Sequence, residues 1–85
     1  LEGFVSEPAR HALYAAKVLL KYKLLEWQRI SLDDLAAWAR ATPYFGMLHE
    51  RHFSGEGEAA WLQGLVDDLV RSGAALREGG LLHNA

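Results

Sequence analysis

The sequence contains no cysteine, two prolines and one methionine in 85 residues. Without cysteine there is no disulfide, no thiolate nucleophile and no cysteine-ligated zinc. No apolar run approaches the roughly 20 residues that a membrane-spanning helix needs, so no membrane partner is expected. Neither sign of charge dominates: nine Lys and Arg stand against eleven Asp and Glu, a net charge of -2. Repeats and low-complexity tracts are absent. What is there is an ordinary globular composition, 51% hydrophobic and 24% charged, neither disordered nor fibrous. A chain this short is expected to form one small domain burying roughly 60–65% of its unfolded surface. It opens on Leu1 with no basic-then-apolar leader. The expectation is an excised segment of a larger cytoplasmic protein.

Residues 1–7 carry no periodic pattern and are expected to lead in as loop. Glu7-Pro8 then starts a helix, because proline's missing N–H costs little in the first turn. From Ala9 to about Trp27 the chain is rich in Ala and Leu with no internal Gly or Pro, the strongest helix signal present. Its apolar residues fall on two faces. Leu13, Ala16, Leu20, Leu24 and Trp27 form the expected core face. Tyr14, Val18, Tyr22 and Leu25 form a second, with Arg10, Lys17, Lys21 and Gln28 as a polar ridge between. A helix apolar on two sides is central or shared with a partner.

A second helix is marked by its cap. Ser31 is placed to accept from the backbone near Asp34, and Asp33 and Asp34 suit the positive end of the helix dipole. Ile30 and Leu35 fit a hydrophobic staple. Leu32, Leu35, Ala36 and Ala39 line one face, and Pro43 ends the helix near Thr42. A short helix carrying Phe45, Leu48 and Phe53 follows, broken by Ser54-Gly55-Glu56-Gly57. From Glu58 to Ser72 the period is helical again, with Trp61, Leu62, Leu65, Val66, Leu69 and Val70 on one face. Gly73 sits where a left-handed C-terminal cap belongs. Two short runs around Gly79-Gly80 predict a terminal β-hairpin. The fold class is therefore mainly α, helix-turn-helix or winged-helix-like, with three to four helices and a short C-terminal hairpin.

Three resemblances fit that order. Leu13 to Leu25, Ile30 to Ala36, Leu65 to Gly73 and Glu78-Gly79-Gly80 together resemble the N-terminal helical module of S-adenosylmethionine-dependent methyltransferases, over about residues 9–85. The resemblance implies a non-catalytic module that dimerises and covers the substrate side of a separate catalytic domain. Ser31 to Ala36 with Thr42-Pro43-Tyr44-Phe45, Leu48, Arg51-His52-Phe53 and Gly55 is similar to an AraC-type helix-turn-helix. Phe53-Ser54-Gly55, Trp61-Leu62 and Gly73 to Leu82 are similar to a DEP domain. All agree on helix-turn-helix architecture and differ in function.

Charge tests the nucleic-acid alternative. Residues 1–30 hold five cations against three acids, +2, and residues 31–85 hold four against eight, -4. The helix that would read a groove, 58–72, carries Glu58, Asp67 and Asp68 against Arg71. Phosphate contacts demand Lys or Arg, so this helix suits DNA poorly. Arg71 and Arg77 are the residues expected to touch phosphate if DNA is bound. Lys17, Lys21 and Lys23 with Tyr14 and Tyr22 offer a second basic surface.

No catalytic set emerges. Ser6, Ser31, Ser54 and Ser72 read as loop or cap residues. Asp33 and Asp34 are adjacent and point apart on a helix. His49 and His52 are three apart rather than the four of the zinc-protease motif. No catalytic residue, cofactor site or metal site is assigned. Trp27, Trp38 and Trp61 read as core or helix–helix contacts, with Trp38 off the apolar face of its helix and so expected to be exposed on a partner surface. The expected partner surface comprises Tyr14, Val18, Tyr22, Leu25 and Trp38. Its partner is another protein or a second copy, with DNA binding as the alternative.

Overall fold

A computed structural model describes residues 7–85. Of the expected lead-in over residues 1–7, residues 1–6 lie outside the described residues and Glu7 is already the first residue of a helix. Those described form four α-helices, α1 (Glu7–Trp27), α2 (Leu32–Ala41), α3 (Pro43–His52) and α4 (Glu58–Arg71). Three short strands, β1 (Arg29–Ser31), β2 (Ala75–Glu78) and β3 (Leu81–Asn84), make one antiparallel sheet in the order β1-β3-β2. The molecule is mainly helical, in the helix-turn-helix and winged-like class.

Each helix boundary has a local cause. Gln28 ends α1 in a left-handed conformation, φ 69°, which a non-glycine residue seldom adopts. Its N–H donates to Leu24 C=O at 2.7 Å, its side-chain amide donates to Leu25 C=O at 2.6 Å, and its own carbonyl accepts from Asn84 N–H at 2.8 Å. Ser31 caps α2, its hydroxyl accepting from Asp34 N–H at 3.1 Å. Thr42 closes α2 by donating its hydroxyl to Trp38 C=O at 2.8 Å, and Pro43 opens α3. Gly73, at φ 82°, ends α4 as expected. Ala74 N–H reaches back to Leu69 C=O and Gly73 N–H to Val70 C=O, the paired bonds of a Schellman cap.

The core lies where these faces meet. Ala16, Leu20 and Leu24 of α1 are fully enclosed, with Leu35, Phe45, Leu65 and Val66 from the other helices. Leu13 and Trp27 pack partly buried at its edge. The hairpin seals one side through its inward residues Ala75 and Leu82. An aromatic series joins all four helices. Trp27 meets Trp38 edge-on at 5.6 Å, Trp38 meets Phe45 at 5.3 Å, Phe45 meets Trp61 at 6.2 Å, and Phe53 stacks on Trp61 at 5.3 Å. Such pairs add roughly 0.5–1.5 kcal/mol each beyond area burial.

Two expectations need correction here. Trp38 is half-buried rather than exposed, because α3 folds back and lays Phe45 on one side of it while Trp27 covers another. The Lys23 ammonium sits 5.2 Å from the Trp27 ring centroid and 5.6 Å from that of Trp38. Trp38 is therefore an internal helix–helix contact. The hairpin also has a third strand, β1, which the sequence did not suggest. Three residues are too few for a period-2 signal, and their pairing partners lie 50 to 54 positions along the chain.

Candidate interaction surface

Three of the exposed large hydrophobic residues lie on the outer face of α1. Tyr14 is 70% exposed, Tyr22 64% and Leu25 48%. Val18 lies between them, half-buried. These four occupy the side of α1 opposite buried Ala12, Ala16, Leu20 and Leu24. The two-sided helix is thus observed: one side is consumed by the core and the other is left largely open among the described residues.

The neighbouring lysines are largely engaged within the chain. Lys17 pairs with Asp68 at 3.8 Å, across to α4. Lys21 donates to Ala74 C=O and Asn84 Oδ1, both at 2.6 Å, and to Ala85 C=O at 3.3 Å, tying α1 to the hairpin. Lys23 pairs with Glu26 at 3.4 Å while lying over the two tryptophans. A basic ridge inviting nucleic acid is accordingly weak. The tethering role of Lys21 had no sequence signal, since it depends on the hairpin returning beside α1.

The alternative DNA residues are similarly committed. Arg71 bonds to Asp68 one turn earlier on α4, and Arg77 of β2 bonds to Asp67. The solvent side of α4 presents Glu58, Ala59, Ala60, Gln63 and Gly64, all exposed, and offers phosphate nothing but Arg71. The Asp67 carboxyl is held below its ordinary value, first by the hydrogen bond from Arg77 and then by that from Gln63. A depressed carboxylate stabilises the fold above its unfolded value, about 3.9, and that contribution is lost as pH falls through the folded value. Chemical unfolding across pH 5 to 2 should therefore show part of the acid-induced loss disappear in Asp67→Asn. An unchanged acid limb would contradict the pairing.

A groove of about 220 Å³ is lined by α2 and α4, with Leu35, Phe45, Trp61 and Val66 among its apolar residues and Asp33, Arg40 and Glu58 among its charged ones. That is below the ~300–1,000 Å³ usual for a small-molecule site. His49 lies within 2.6 Å of Glu56 C=O through Nε2, with its ring 5.4 Å from that of Trp61. This geometry uses His49 to hold the α3–α4 loop. Among the described residues no three His, Asp or Glu side chains converge as a metal-binding group.

The sequence also passed over Leu76 and Leu81, which stand exposed on the outer face of the sheet. The alternation of the hairpin places Leu82 inward, and so Leu81 outward.

No helix among the described residues is long and apolar enough to cross a membrane. No family model, curated protein or solved structure matches this chain.

Proposed function

We propose that this chain is a non-catalytic, winged-helix-like module for protein–protein contact, working through the outer face of α1. The observation that carries this reading is the apolar stripe of Tyr14, Val18, Tyr22 and Leu25 on a helix whose opposite side is already buried. Tyrosine suits such a role, since it contributes large contact area with few rotatable bonds. The element order, with helices followed by a hairpin, supports the setting that the sequence resemblance implies. That setting is an accessory, dimerising module beside the catalytic domain of a larger cytoplasmic methyltransferase.

The rival is a DNA-binding regulator, and the ion-paired Arg71 and Arg77 weigh against it. Fluorescence anisotropy of a labelled duplex at low salt separates the two. The proposal expects no binding at micromolar protein. A salt-dependent affinity that disappears in Arg71→Ala/Arg77→Ala would overturn it in favour of the regulator.

A further inference from the structure

The exposed face of α1 is symmetric along its own length. His11, Tyr14, Val18, Tyr22 and Leu25 are spaced 3, 4, 4 and 3 residues apart, a palindrome about Val18. All five lie on the outward side of the helix, with Val18, the smallest of them, at the centre. Building on the contact reading above, we propose that the occupant of this face is a second copy of the chain, packed antiparallel about a twofold axis at Val18.

In that register Tyr14 meets the partner's Tyr22, Val18 meets the partner's Val18, and Leu25 lies beside the partner's His11. A small β-branched residue at the axis lets the two helices approach to the usual 8–10 Å. The tyrosines then close over both ends of the contact. Such self-complementarity is what an isologous interface requires.

Charge does not oppose this arrangement. A twofold axis at Val18 sets only the cations beside it, Lys17 first, near their own copies. Here Lys17 is paired with Asp68, Lys21 is bonded to oxygens of the hairpin and chain end, and Lys23 is paired with Glu26. Beside the stripe, His11 lies 3.5 Å from Glu7 and Glu26 lies 3.4 Å from Lys23, so these exposed groups too have partners within their own helix. Antiparallel packing also places the positive end of each helix dipole next to the negative end of the other.

The absence of cysteine makes a decisive experiment simple, because any thiol introduced is unique. Val18→Cys, Tyr14→Cys, Tyr22→Cys and an α4 control, Gln63→Cys, are oxidised under mild conditions and analysed by non-reducing electrophoresis. The expected result is a covalent dimer of Val18→Cys formed at least tenfold faster than that of Gln63→Cys. Tyr14→Cys and Tyr22→Cys should each dimerise slowly alone and rapidly when mixed. Equal self-cross-linking of Tyr14→Cys, Val18→Cys and Tyr22→Cys would indicate parallel packing and overturn the proposal. So would a Val18→Cys rate equal to the control. The contact reading fails separately, by an unfolding midpoint lowered in Tyr14→Ser/Tyr22→Ser at a concentration where the unmodified chain is monomeric, because the face would then belong to the fold itself.

Discussion

Phe45→Ala should lower stability by about 3–5 kcal/mol, the usual cost of emptying a fully enclosed phenylalanine site. Phe45 is 2% exposed and stands between Trp38 and Trp61, so its ring is the joint through which α2, α3 and α4 meet. It also lines the α2–α4 groove, and truncation would open that groove further into the core rather than leave a collapsible void. Small domains often hold little more than 5 kcal/mol in total, and each kcal/mol moves the midpoint of a domain this size by roughly 4–8 °C. The variant should therefore unfold some 12–40 °C lower, followed by circular dichroism and by tryptophan emission. Tyr44→Ala, one position earlier and 44% exposed, should change the midpoint little. Comparable losses at the two positions would mean that the aromatic series does not hold the helices together.

The second large effect separates association from folding. Tyr14→Ser/Tyr22→Ser/Leu25→Ser removes most of the exposed apolar surface of α1. Surface sites without internal partners usually change stability by no more than about 0.5 kcal/mol each. Aromatic residues at the centre of an interface, in contrast, commonly cost 1–2 kcal/mol or more when truncated. Two in each copy make four in a twofold dimer, which implies association weakened at least on the order of 1000-fold. At a concentration where the unmodified chain is monomeric, the variant should thus keep its unfolding midpoint within a few degrees, while its self-affinity collapses. Loss of both together would place these residues in the fold and remove the interaction surface.

The helices were legible because each carries its own local signals. The Ser31 cap, the Pro43 stop and the Gly73 cap act within one turn, and all three stand where the chain predicts them. The Gly79-Gly80 hairpin was equally local: Gly79 takes φ 59° as the first residue of a two-residue loop. The features that escaped are non-local. β1 exists only because β3 returns to it, and Gln28 does a glycine's work because its carbonyl is held by Asn84. Trp38 was misplaced for the same reason. Helical spacing gives a residue's direction on its own helix, whereas its cover came from α1 and α3. The four outer residues of α1 were readable from periodicity, as was the acidic character of α4. The ion pairs that engage Lys17, Arg71 and Arg77 required the packed structure.

The most direct measurement is the mass of the unmodified chain by light scattering or sedimentation equilibrium, from micromolar to millimolar concentration, beside the triple α1 variant. A contact module acting through this face should rise from the monomer mass of 9.5 kDa toward twice that value, with the variant monomeric throughout. An unmodified chain that stays monomeric to millimolar concentration, or a variant that associates equally well, would contradict self-association through α1.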